Sequence, residues 1–161
     1  MVDEATYREA CELKYNYAYG IDLRDWDLYR SILADELVID FRSIGYRDVM
    51  HITADAWIAE VRKLMDGLDA SHHQMSGCIV TEDATHGADE LVMRTYVTAQ
   101  HILRTPSRAD RFYQIGGWYD DRLRCIDGTL RFTRITLNQT WAWGDSAVMK
   151  DAARRGRDIA N

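Results

Sequence analysis

Proline is almost missing from this chain: Pro106 is the only one in 161 residues, so no proline-rich linker or recognition tract divides it. Glycine is sparse at 10 residues, and neither G-x-G-x-x-G nor the P-loop pattern occurs, which removes the usual phosphate-cradling loops. The cysteines are few, odd in number and far apart (Cys11, Cys78, Cys125). They read as reduced core thiols of a cytoplasmic protein, since a structural zinc site wants closer pairs. A basic surplus is also lacking. Lys and Arg total 20 against 26 Asp and Glu, a net charge of -6, which argues against a nucleic-acid or anionic-membrane surface. The basic stretch "ARRGR" near the C-terminus is too short to change that. No apolar run approaches the roughly 20 residues of a membrane-spanning helix, and the acidic, amphipathic opening "MVDEATYREACEL" is unlike a signal peptide.

What remains is ordinary for a globular protein: 47% hydrophobic and 29% charged residues, with no repeat or low-complexity tract. Residues 1–161 are expected to form one domain around one core, with 146–161 as a C-terminal arm. Helical patterns dominate the first half. The first helix is expected over 3–21, stopping near Gly20, and a second over "WDLYRSILA", capped by Asp25. A third, "ADAWIAEVRKLMDGL", is capped by Thr53 and turns Ala56, Ile58 or Ala59, Val61 or Arg62, and Leu64 or Met65 inward. "ELVIDF" (36–41) alternates as a strand. From residue 70 onward the period becomes two, with strands expected at 70–82, 90–104, 111–126 and 129–142; the last two are joined by the hairpin signal "DG". Helices followed by a long antiparallel meander give an α+β domain with helices covering one face of a curved sheet.

Strand parity then orients the histidines. Leu91, Met93, Val97 and Leu103 share a face with His101, while Arg94, Gln100 and Arg104 share the other. In "DASHHQMSGCIV", His73, Met75 and Ile79 form the more apolar set, so His73 points inward and His72 outward. Tyr113, Ile115, Gly117, Tyr119 and Leu123 share one parity, as do Leu37, Ile39 and Phe41. At about 100° per residue, Cys11, Tyr15, Ala18 and Asp22 fall near one line of the first helix. Asp22 thus ends a buried stripe, where a carboxylate needs a partner, and an inward histidine is the obvious one. A core histidine satisfied by a backbone carbonyl is the alternative for both His73 and His101. Two inward imidazoles and a carboxylate in so small a domain favour catalysis. A two-histidine, one-carboxylate metal triad lacks the supporting H-x-x-x-H or H-x-D spacing, and no metal is expected. His51 and His86 fall in loop-like segments. Lys14 lies oddly inside the apolar arc and is expected to snorkel past its rim. Inward aromatics, among them Phe41, Tyr113 and Tyr119, are core residues or the walls of a cavity for a flat aromatic ligand.

The segment "YGIDLRDWDLYRSILADELVIDFRSIGY" resembles the scytalone dehydratase and SnoaL-like branch of the NTF2-like superfamily. The likeness continues through "SHHQMSG", "TAQHILR", "GGWYDDRLRCIDG" and "LRFTRITLNQTWAWG", covering roughly residues 5–145. It implies a cone-shaped α+β barrel, three to four N-terminal helices on a strongly curved and mainly antiparallel sheet, usually as a homotrimer, with a homodimer as the other option. The family's Asp–His pair maps onto Asp22 and His73, and its second pocket histidine onto His101. Tyr15, Phe41, Tyr46, Tyr113, Tyr119 and Leu137 are the expected substrate-binding residues, and segment 146–161 would be an arm or lid.

The resemblance has departures. Ile21 and Phe41 stand where scytalone dehydratase carries its two carbonyl-polarising tyrosines, and Gly117 and Tyr119 replace a serine and an asparagine. The chain keeps the base and loses much of the polarising apparatus. The expected activity is therefore a cofactor-independent lyase. His73 would take a proton, and His101, with Tyr119, would donate one as water, a formaldehyde-type unit or halide leaves an activated aromatic or polyketide-like substrate. The alternatives are an isomerase or cyclase, and a non-catalytic small subunit of an aromatic-ring hydroxylase.

Overall fold

A computed structural model describes residues 2–82, 90–106 and 108–160. Helix α1 covers Glu4–Leu23. It starts where the Asp3 carboxylate accepts the Thr6 N–H at 2.9 Å. The expected stop at Gly20 is not there. A Cβ at Gly20 would lie 2.8 Å from Tyr29 Cβ, so this glycine serves the close packing of α2 (Trp26–Ser31), and α1 runs on to end at Arg24, whose φ is 60°. The extra turn is what carries Asp22. Asp25 caps α2 as expected, accepting from Leu28 N at 3.0 Å. That helix is shorter than its pattern, because Leu33 and Ala34 already belong to strand β1 (Leu33–Asp40).

A single 3-10 turn (Arg42–Ile44) leads to β2 (Met50–Thr53), a strand the sequence reading lacked, so exposed His51 lies in a strand and not in a loop. Thr53 Oγ1 accepts the Ala56 N–H at 3.3 Å and starts α3 (Ala54–Met65). Its buried residues are Ala54, Trp57, Ile58 and Met65, a stripe centred on Trp57 and offset from the expected one. Then come β3 (Ala70–Glu82), β4 (Glu90–Thr105), β5 (Arg108–Ile126) and β6 (Thr129–Gly144). Asp127 and Gly128, at φ 52° and 79°, make the β5–β6 hairpin that "DG" announced.

The six strands run in the order β2-β1-β6-β5-β4-β3. Among the described residues only β1 and β6 pair in parallel. The barrel is therefore open: the sheet is strongly curved but not closed, with β2 and β3 at its edges. Helices cover its concave face over a core that includes Leu33, Ile39, Leu123, Phe132 and Ile135, none of them exposed.

Parity holds along β4, where Met93, Thr95, Val97, Ala99, His101 and Leu103 are all buried. It fails on β3. Gly77 takes φ 62° at a register shift between Ser76 and Ile79, so Cys78 and Val80 turn inward and Ile79 is 59% exposed. The thiols also differ from expectation, since Cys11 is buried but Cys125 is exposed.

Residues 147–160 form α4 (Ala147–Ala160), which packs on α3. The two backbones approach so closely that a Cβ on Gly67 would collide with the Ala152 carbonyl, and one on Gly156 with the Lys63 carbonyl. Arg111 reaches Asp145 and Asp151, both at 2.8 Å, and Arg155 reaches Asp69 at 2.8 Å, which fastens α4 at both ends. Gly156→Ala should lower unfolding stability by about 1–3 kcal/mol, the usual effect of overpacking. Urea denaturation checks this, and an unchanged midpoint would mean that the helices do not touch there.

Candidate active site

Beneath the helices the curved sheet leaves a cavity of about 590 Å³, lined mainly by apolar and aromatic side chains. The last turn of α1 and the first residues of β3 meet on its wall. There the Asp22 carboxylate collects three donors: Ser71 Oγ at 2.8 Å, the His73 backbone N–H at 2.6 Å and His73 Nδ1 at 2.7 Å. Arg24 fixes the direction of the first bond. Its Nη1 donates to Ser71 Oγ at 2.9 Å, so the serine's own proton goes to Asp22. The same guanidinium donates to the carbonyls of Ile21, Asp22 and Met65, tying the α1 terminus to the end of α3.

A carboxylate only accepts, so the neutral His73 ring must carry its proton on Nδ1, leaving Nε2 as a bare lone pair. The His73 side chain is 6% exposed and that of Asp22 14%. Burial works to raise the Asp22 carboxyl, but the hydrogen bonds and charge of His73, with Ser71, outweigh it and hold Asp22 below its ordinary value. The pair is thus an ionised carboxylate orienting an imidazole.

His101 stands 5.6 Å from His73, ring centre to ring centre, with the planes at 88°. Its Nδ1 donates to the Tyr113 carbonyl at 3.1 Å, so its Nε2 is also unprotonated when the ring is neutral. Burial, and then the neighbouring His73, push His101 down to about 4. The sequence reading gave this residue the donor role, but donation from Nε2 would require the imidazolium that burial disfavours. In the resting site His101 is an acceptor.

Phe41, Tyr46, Tyr113, Tyr119 and Leu137 all line the cavity, as do both inward histidines. Tyr15 does not. It is 46% exposed, because the line through Cys11, Tyr15, Ala18 and Asp22 follows the margin of the buried face of α1, whose centre is Ala10, Leu13, Lys14, Tyr17 and Ile21. The tyrosine that helix supplies to the cavity is Tyr17. His72 is exposed, as parity required, and His86 lies outside the described residues. Trp57 from α3 and Met149 and Ala153 from α4 also line the site and were not foreseen.

The largest departure is Lys14. Rather than snorkelling, it is wholly buried and its Nζ donates to Asp121 Oδ2 at 2.7 Å. Asp121 shares the inward parity of Tyr119 and Leu123, the one sequence signal for this pair. Desolvation lowers the lysine and raises the aspartate, each opposed by the other's charge. Among the described residues no cluster of three or more His, Cys, Asp or Glu is placed to hold a metal.

Helices folded over a curved sheet, with an Asp-oriented histidine facing the cavity between them, are the architecture of the NTF2-like kind. Residues 4–136 match the SnoaL-like domain, and the chain belongs to that family. No curated protein matches the sequence. Among solved structures, the Kfla4162 protein from Kribbella flavida is 26% identical, with a TM-score of 0.78 over 96% of this chain and 99% of that one. A protein provisionally titled scytalone dehydratase, from Novosphingobium aromaticivorans DSM 12444, is 19% identical with a TM-score of 0.68, covering 86% of each chain. Hexachlorocyclohexane dehydrochlorinase LinA-type3 from Novosphingobium barchaimii LL02 is 15% identical with a TM-score of 0.70, covering 88% of this chain and 91% of that one. The last two establish likeness of fold.

The burial of His101 has a consequence for stability. Its value is near 6.5 unfolded and about 4 folded, so the unfolded chain binds the extra proton between those limits. Stability should therefore fall as pH drops from about 6.5 to about 4, by on the order of 3 kcal/mol from this group. His101→Asn keeps a donor near the Nδ1 position and cannot titrate. Urea titrations across that window should show a flatter pH dependence for the variant, and parallel curves would contradict the assignment.

Proposed function

We propose that this protein is a cofactor-independent lyase that uses Asp22 and His73 as an acid–base pair on a small, activated aromatic or polyketide-like substrate. The observation that carries this reading is the three-donor anchoring of Asp22, which leaves His73 Nε2 bare beside an aromatic-walled cavity. Structural needs alone do not call for a buried, charge-oriented imidazole.

His73 Nε2 takes the proton from a carbon or hydroxyl next to the activating group, and Asp22 stabilises the imidazolium that forms. The electron pair released becomes the new double bond, and the leaving group departs with the pair from its own bond. Where that group is hydroxide, the proton on His73 returns to it and water leaves. His101 Nε2 accepts a hydrogen bond from a substrate hydroxyl and orients it. Positioned acid–base groups contribute about 10² to 10⁴ in rate, so the substrate must carry its own activation, such as a para-hydroxyaryl ring or an adjacent carbonyl. A cavity of about 590 Å³ suits a molecule of one or two rings. A scytalone dehydratase-like protein and a hexachlorocyclohexane dehydrochlorinase share this fold, which fits elimination chemistry. The competing reading is an aromatic-ring hydroxylase subunit, a name that another structure of this fold carries; the Asp22–His73–Ser71 arrangement favours the lyase.

Asp22→Asn and His73→Ala should each reduce turnover at least a hundredfold, within the range given above, while circular dichroism shows that the fold is retained. Substrates are found by screening activated aromatic diols, hydroxyketones and haloalkanes without added cofactor, following new conjugation by ultraviolet absorbance. Near-wild-type turnover in either variant would reject the pair.

A further inference from the structure

The proposed reaction leaves one charged group unused. Lys14 sits in the middle of α1 with no exposed surface, its Nζ bonded to Asp121. The ammonium lies 3.4 Å from the centre of the Tyr119 ring, 4.3 Å from that of Tyr17 and 5.4 Å from that of Phe132. An ion pair this deep usually stabilises a fold no better than an apolar pair of the same volume, so stability does not explain it. What it does accomplish is to place a cation against the π faces of two tyrosines.

Those two tyrosines line the cavity, their hydroxyl oxygens 3.4 Å apart. Burial raises both phenols above their ordinary value, so at neutral pH each keeps its proton; the two hydroxyls share a hydrogen bond, which leaves one O–H of the pair to donate to a ligand. A cation on a ring face is held by the ring's electrons, and in a phenol that pull makes the O–H a stronger donor. Tyr46, Tyr113 and Lys63 also bring donors to the cavity; what sets Tyr17 and Tyr119 apart is the buried cation against their rings. His73 and His101 both present bare Nε2 atoms, which accept hydrogen bonds and do not donate them. A substrate oxygen that gains negative charge needs a donor in the same cavity, and the tyrosine pair supplies one.

We infer that Tyr17 and Tyr119, polarised from behind by Lys14, form the donor site for a phenolate or enolate oxygen developing on the substrate, and that the protein selects substrates carrying such an acidic oxygen. Tyr17 and Tyr119 touch the substrate, whereas Lys14 acts through them and is a positioning residue. The inference rests on the elimination reading, since that reaction is what builds the charge, but its test needs no turnover.

The probes are 4-nitrophenol, whose absorbance reports its ionisation, and 4-nitroanisole, of similar shape without the acidic proton. Wild-type protein should bind 4-nitrophenolate about tenfold more tightly than 4-nitroanisole, the scale of one hydrogen bond to a charged acceptor. The bound phenol should also ionise at lower pH than the free one. The double substitution Lys14→Met with Asp121→Asn removes the cation without stranding a charge. It should erase most of that preference and move the ionisation of bound 4-nitrophenol back up, while affinity for 4-nitroanisole changes little. Should the double variant not fold, Tyr119→Phe leaves the Lys14–Asp121 pair in place and should lose the same preference. A wild-type protein without the preference, or a folded double variant or Tyr119→Phe variant that keeps it, overturns the inference. Loss of the preference alongside full turnover in Asp22→Asn would instead reject the acid–base pair and leave the donor site standing.

Discussion

Three donors converging on the Asp22 carboxylate fix where the last turn of α1 meets the edge strand β3, and the chemistry of the cavity follows from that meeting. Two of the donors come from His73 itself, its backbone and its ring, so the strand's position and the imidazole's orientation are set by one side chain. Arg24 secures the other side through Ser71 and three backbone carbonyls. A left-handed φ of 60° at a non-glycine residue marks where the chain bends for this purpose. Remove the carboxylate and the serine, the amide and the ring each lose their acceptor, in a place where burial makes unpaired donors expensive.

Two arrangements of buried charge bear on the cavity. Near the cavity wall, a carboxylate held below its ordinary value orients one histidine beside a second that burial pushes down to about 4. Under its floor, a lysine and an aspartate are sealed among aromatic rings. The second arrangement is electrically balanced within itself, and beside the first the Arg24 guanidinium reaches the carboxylate through Ser71. Proposed acceptors and donors line the same cavity, which an elimination requires.

Most of the fold was legible because it rests on periodicity and caps. Asp25 and Thr53 start α2 and α3 as their side chains suggest, and β4 alternates without interruption past His101. His73 and Asp22 were found by the same geometry, parity on one element and angular position on the other. The errors have local physical causes. Gly20 looks like a helix stop, yet it is small because Tyr29 packs against it. Gly77 reverses parity by a bulge that composition does not reveal, so Ile79 was turned the wrong way. Tyr15 shares a line with Asp22, but that line borders the buried face. Lys14 looks too polar for the core until Asp121, 107 residues away, is seen to meet it. The charged sequence of α4 hid an amphipathic helix whose small residues, Ala152 and Gly156, bring it against α3.

The protonation of His73 is the point on which the account turns, and nitrogen NMR of protein labelled at histidine reads it directly at neutral pH. The account predicts a ring protonated at Nδ1 and bare at Nε2, reverting toward the commoner Nε2–H form when Asp22 is replaced by Asn. A wild-type His73 that already carries its proton on Nε2, or that does not respond to the loss of the carboxylate, would contradict it.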